Sequence, residues 1–222
     1  MRSVFSAEKE AFKFRPALSR CMSEAQTVSL TYEDGARAVE LARDAIESYV
    51  RHGQREQPGS MREAFYQRTG ALVRIESTRG QRSLRGCAGT VQGSDQLGHA
   101  IVEAAIAAAS EGSCGSELRG PELDTVTIST CIICNLVLTD DPVADLELGR
   151  HGALVSGSGH SGWLYPTVPV ENNWTIEEYL DRTCRKTGLP PTAWTDDDVM
   201  VTLFEGATFR EIDPNGTVEL LR

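Results

Sequence analysis

The sequence predicts an α+β protein with a largely antiparallel sheet and flanking helices. Three observations lead there. Two stretches open with paired helix-start signals, Thr31 with Asp34 and Thr175 with Glu178, and continue with apolar residues at spacings of three and four. Several runs rich in Val, Ile and Thr are bounded by Gly, Pro and Asp, as strands are. The two kinds of segment do not alternate regularly, which argues against a parallel sheet built from βαβ units.

In chain order, the composition first changes at Met22. Residues 1–21 carry five basic and two acidic residues and share no periodicity with the rest of the chain, so they are set apart as an N-terminal extension, with 22–222 as the folded domain. Thr31 opens a helix running to about Arg51, with Val39, Ala42, Ile46 and Tyr49 on one stripe and Gly53 as its stop. Ala71, Val73 and Ile75 alternate with Leu72, Arg74 and Glu76 in a strand, and a second strand runs from Ser83 to Val91. Ser94 or Asp95 is placed to cap a helix bearing Leu97, Ile101, Ala104 and Ala108. Val126–Leu138 reads as a buried strand, and Ala153–Val155 with Trp163–Tyr165 as a hairpin. Thr175 opens the last helix, which Gly188 ends. Strands over Val199–Ile212 and Thr217–Leu221 flank the turn Asp213-Pro214-Asn215-Gly216.

Charge narrows the function classes. The chain has 22 basic and 32 acidic residues, a net charge of −10. Beyond residue 21 the only lysine is Lys186. Such an acid-rich, lysine-poor surface is that of proteins from salt-accumulating halophiles, where salt screens self-repulsion and carboxylates hold water. It argues against nucleic acid and against anionic membranes as partners. No apolar run is long enough to span a bilayer, and the first residues lack a continuous apolar core, so the expected location is cytoplasmic. Six irregularly spaced cysteines read as reduced thiols.

Most motif-like patterns have plain readings. Gly157–Gly162 matches a dinucleotide-binding pattern, but Trp163-Leu164-Tyr165-Pro166 comes next instead of a helix, so it reads as a hairpin tip with a solvated His160. Cys131 and Cys134 have zinc-ligand spacing but no second pair, so no metal is assigned. Cys184 falls on the buried stripe of its helix. His99 and Glu103 read as a surface pair.

Ser83-Leu84-Arg85-Gly86-Cys87-Ala88-Gly89-Thr90 stands apart. On a regular strand Arg85 and Cys87 share a face, and a guanidinium beside a thiol favours the thiolate. Gly86 and Gly89 suggest a bulge or a close backbone approach. The segment suits a reactive thiol or an anion site, with Arg85, Gly86, Gly89 and Thr90 as binding residues. It equally suits a buried cysteine whose glycines make room for neighbours. His151, between Gly149-Arg150 and Gly152, is the candidate acid or base, or alternatively a turn histidine capping local backbone.

These residues carry a resemblance. Leu84–Thr90 resembles the L-R-G-C-I-G-T signature of the AMMECR domain family, known in microbes as AmmeMemoRadiSam system protein A. The likeness continues through Gly149-Arg150-His151-Gly152, Leu164-Tyr165-Pro166-Thr167-Val168, Trp174, Tyr179-Leu180, Cys184, Lys186 and Gly188-Leu189. With the acid-rich composition, it is similar to a haloarchaeal member. The resemblance implies two unequal subdomains around a cleft that holds the L-R-G-C segment. It also implies work alongside a MEMO-type protein and a radical S-adenosylmethionine enzyme. It names no cofactor and no settled reaction. It leaves two expectations: chemistry on a small-molecule ligand with Cys87 as nucleophile and His151 as acid or base, or a non-catalytic ligand- or protein-binding module using the same cleft.

Overall fold

A computed structural model describes residues 30–59, 62–80, 82–110 and 117–221. The extension assigned to residues 1–21, its boundary at Met22 and Cys114 lie outside the described residues. In chain order the elements are α1 (Tyr32–His52), β1 (Ala71–Ser77), β2 (Ser83–Thr90), α2 (Leu97–Ser110), β3 (Val126–Thr139), α3 (Pro142–Asp145), β4 (Gly152–Gly157), β5 (His160–Leu164), α4 (Thr167–Glu171), α5 (Ile176–Thr187), β6 (Met200–Glu211) and β7 (Val218–Leu221). Short 3-10 turns precede β1, β3 and β6.

All seven strands join one antiparallel sheet in the order β2-β1-β3-β6-β4-β5, with β7 pairing β6 beside this path. The long β6 bonds β4 through Met200–Phe204 and β7 through Thr208–Glu211. The expected α+β class with an antiparallel sheet is therefore what the chain adopts.

The local signals act as expected. The Thr31 hydroxyl accepts from Asp34 N while the Asp34 carboxylate accepts from Thr31 N, satisfying two donors the first helical turn leaves open. Thr175 and Glu178 repeat the device on α5. Helices α1 and α5 end at left-handed Gly53 and Gly188. Helix α2 differs from expectation at its start. It begins at Leu97, and Ser94 donates to the adjacent Asp95 carboxylate instead of capping it. Gln96 is held there by a β-bridge to Arg68. Glu103 pairs with Arg55, which reaches it from beyond α1, and not with His99.

One sheet carries three hydrophobic clusters, and the two that seat α1, α2 and α5 are unequal. The larger packs α1 and α2 against β1 and β3 through Leu41, Ile46, Val73, Ile75, Ile101 and Ile128. The smaller packs α5 against β4 and β6 through Tyr179, Leu180, Cys184, Val155 and Leu203. Tyr179 is fully buried, and its hydroxyl donates to Leu164 O (2.7 Å) and accepts from Ala153 N (3.0 Å), which fixes the β4–β5 hairpin on α5. Arg43 and Glu211, both nearly fully buried, join α1 to β6. Arg43 Nε donates to Glu211 Oε1 (3.0 Å), and its Nη atoms donate to the carbonyls of Leu123 and Val126. Burial strips this pair of water, and these bonds supply the partners that a buried ion pair requires.

No helix among the described residues is long and apolar enough to cross a membrane.

Candidate functional site

The Arg-Gly-Cys segment lies on β2, at one edge of the sheet, and its geometry is set by a β-bulge. Ile75 pairs with Gly86, and Glu76 pairs with Leu84, so Arg85 is the extra residue. The bulge breaks the alternation that would have put Arg85 on the face of Cys87. Arg85 turns instead to the turn before β3, where Nε donates to Glu122 Oε1 (2.8 Å) and Nη2 to Glu122 Oε2 (3.1 Å) and to Glu117 O (3.0 Å). This bidentate clamp, first of all through its hydrogen bond, holds the Glu122 carboxyl below the ordinary carboxylate range. The expectation that Arg85 sits beside the Cys87 thiol on one face is corrected: the guanidinium charge is directed at Glu122.

The two glycines serve close packing and backbone shape. A Cβ on Gly86 would lie 2.2 Å from the Ala108 carbonyl oxygen of α2. Gly89 has φ +133°, a conformation that disfavours side chains, and its Cβ would meet Ala71 O at 2.2 Å. Thr90 is exposed and shapes the turn after β2, its hydroxyl accepting from Gln92 N and donating to Gln92 O. His151 is in the loop entering β4. Its Nδ1 accepts from Glu147 N (3.0 Å), and its Nε2 lies 3.7 Å from Glu205 Oε1. Both ring nitrogens are thus turned toward its own loop and β6, and the structure does not pair His151 with Cys87.

Strand register brings a different set of residues to Cys87. Cys87 on β2 lies opposite Arg74 on β1; Arg74 lies opposite Ser129 on β3; Ser129 lies opposite Arg210 on β6; and Arg210 lies opposite Glu219 on β7. Opposed residues point to one side, so these five form a row across the sheet at strand spacings of about 4.8 Å. Gly86, next to Cys87, faces α2, so the row lies on the face away from α1 and α2.

That face is the inside of a curl. Helix α4 follows β5 at the far edge, yet Glu171 Oε1 lies 3.9 Å from Arg74 Nη1 on β1. The floor beside the row is apolar, made by Leu72, Cys131, Leu154 and Phe204 with Tyr165, and Trp163 packs edge-on to Tyr165 at 5.1 Å.

Within this face, buried polar atoms lack partners. Arg74 Nη2 bonds Glu76 (2.9 Å) and Arg210 Nη2 bonds Glu219 (2.5 Å), but Nε of each arginine is buried without a hydrogen bond among the described residues. So are the Tyr165 hydroxyl and Thr127 Oγ1, the latter opposite Glu76 and on the same face. Burial, then the nearby Cys131 and Cys87, push the Tyr165 hydroxyl well above its ordinary pKa, so it stays a protonated donor. Leaving such a group unmatched costs about 1–3 kcal/mol. Four of these atoms lie on one face.

Sequence reading missed Arg74, Ser129, Tyr165 and Arg210 as site residues. The available signal was Arg74 and Glu76, two charges on the non-core side of a strand that reads as central. The Cys131–Cys134 pair is ordinary structure: Cys131 is buried, its thiol pushed up to about 12 by burial, and Cys134 lies at a second bulge and donates to Ile132 O. Among the described residues no group of three or more His, Cys, Asp or Glu is placed to hold a metal ion. A cavity of about 330 Å³ lies elsewhere, on the helix-bearing face between α1 and the β6–β7 turn, lined by Tyr32, Arg43, Asp44, Glu211 and Val218.

Comparison with known proteins agrees with this architecture. The AMMECR1 family model matches residues 39–209. A protein of Halobacterium salinarum is 61% identical over 209 residues, covering 90% of this chain and 99% of its own. One from Methanocaldococcus jannaschii is 34% identical over 194 residues, covering 85% and 96%. The crystal structure of an uncharacterised protein from Pyrococcus horikoshii is similar with a TM-score of 0.80 and 30% identity, over 86% of this chain and 98% of that one.

Proposed function

Because this chain belongs to the AMMECR1 family, we propose that it is a ligand-binding domain whose site is the inner face of the curled sheet around Cys87. It works alongside a MEMO-type protein and a radical S-adenosylmethionine enzyme, as its motif resemblance implies. The observation that carries the binding reading is the set of buried, unmatched polar atoms beside the Cys87–Arg74–Ser129–Arg210 row. All four, Arg74 Nε, Arg210 Nε and the hydroxyls of Tyr165 and Thr127, can donate, so the ligand is rich in oxygen acceptors. Behind the row, the buried cluster of Leu72, Phe204 and Tyr165 gives the face an apolar backing.

A second reading, covalent chemistry at Cys87, has one observation in its favour: Arg74 lies directly across the strand pair from the thiol. In that reading Arg74, and not Arg85, is the cation at the sulfur.

Iodoacetamide is the probe for both. In the native protein Cys87, half-buried, reacts before the buried Cys131 and Cys184. The low-molecular-mass fraction of the source cells slows that reaction, and Arg74→Gln removes the protection. If Cys87 reacts only on unfolding, the face is closed and the proposal fails. If it reacts but no fraction protects it, the ligand reading fails.

A further inference from the structure

Strand β3 outruns its neighbour. β1 pairs with it only over Val126–Ile132, and the last coverage is at Ile133, whose N–H donates to Gly70 O (3.0 Å) and whose carbonyl accepts from Thr69 Oγ1 (2.6 Å). Beyond that point, among the described residues, β3 pairs with β6 alone, so Asn135–Thr139 present an unpaired strand edge.

This edge is apolar. Leu136, Val137 and Leu138 are 40%, 48% and 54% exposed in succession, and Met200 at the start of β6 is 57% exposed. One exposed leucine needs no explanation, but three consecutive apolar residues on an unpaired edge do. Sheet edges are ordinarily blunted by lysine, proline, charge or a bulge, and this one has only the bulge at Cys134, before the exposed residues begin. In a chain of net charge −10, no charged residue occurs between Asp124 and Asp140. Whatever pairs here is not selected by charge.

The segment is also self-complementary. Asn135-Leu136-Val137-Leu138-Thr139 reads almost the same in both directions about Val137. We propose that this edge pairs antiparallel with the same edge of a second copy, with a two-fold axis at Val137, so that two sheets join into one. A two-fold interface presents one patch to itself. Here Val137 meets its own copy, Leu136 meets Leu138 of the second chain, and Asn135 meets Thr139. Asp140 of each chain falls opposite Cys134 of the other, so the nearest carboxylates are not opposed. The gain is the pairing of strand groups otherwise left to water and the burial of the exposed leucines.

The test uses the full chain. Light scattering during gel filtration is expected to report a dimer, and Val137→Lys a monomer with unchanged circular dichroism, since the side chain is already half exposed. Val137→Cys supplies the second measurement. Residues opposed across an antiparallel pair have Cα atoms about 4.5–5.5 Å apart, within disulfide range. Mild oxidation is expected to cross-link the variant, with peptide mapping placing the bond at position 137 of both chains and no such link in the unsubstituted protein. A monomeric parent chain, a dimer that survives Val137→Lys, or a variant that does not cross-link at 137 would each overturn the proposal.

Discussion

Gly86→Ala tests whether the Arg-Gly-Cys segment is built around packing as well as chemistry. The added Cβ would sit 2.2 Å from Ala108 O, whereas real Cβ atoms essentially never come closer than 3.0 Å. β2 and α2 must therefore separate by about 0.8 Å, the difference between those two distances. The obstacle is backbone, so no rotamer change relieves it. α2 cannot easily retreat, because Leu97, Ile101, Ala104, Ala105 and Ala108 are packed in the larger core. Overpacking of this kind costs about 1–3 kcal/mol. Alanine also narrows the unfolded ensemble, an opposing gain of about 0.4–1 kcal/mol, so the clash wins. Mid-range values leave a net loss of about 1.3 kcal/mol, and at about 2–4 °C per kcal/mol for a chain of this size the midpoint of thermal unfolding should fall by roughly 3–5 °C. Circular dichroism melting curves measure this. Gly120→Ala is the control, since a Cβ there meets nothing within 4 Å. If the Gly86 variant melts with the parent and the control, β2 does not depend on its approach to α2, and the packing account of the motif is wrong.

Two further outcomes rest on charge. Glu122 is held below its ordinary 4.5 by Arg85; a folded value below the unfolded one adds stability that is complete above the unfolded value and vanishes as pH falls through the folded one. Glu122→Gln should therefore destabilise at neutral pH, with the gap to the parent closing as pH falls below 4.5; a gap independent of pH would contradict the clamp. The net charge of −10 should repel itself when unscreened, so melting should rise from about 0.1 M to about 3 M KCl; equal or lower stability in the higher salt would remove the halophilic reading.

The parts of the fold legible in the sequence are those decided by neighbours in the chain. Thr31 with Asp34 and Thr175 with Glu178 satisfy helix donors three residues away, so their effect is readable wherever they occur. The stripe of α1, the apolar run of β3 and the turn between β6 and β7 are local in the same sense. The site is legible only in part. Gly86 and Gly89 point to a bulge or a close approach, and both features exist. The expected neighbourhood of Arg85 with Cys87 fails because one inserted residue reverses a strand's alternation, and no property of Arg85 itself announces the insertion.

By itself, the sequence determined the approximate bounds of the main elements, the antiparallel α+β class and the position of the Arg-Gly-Cys segment on a strand, because each depends on interactions within a few residues. Only the tertiary structure decided what that segment meets. Glu122 is 37 residues from Arg85 and takes its guanidinium, while Arg74, Ser129 and Arg210 reach the level of Cys87 through the register of four strands. Register is a collective choice made by the burial of whole strand faces, and a shift of one residue sends every side chain to the other side. The sharing of one face by Cys87 and Tyr165 is therefore a property of the assembled sheet.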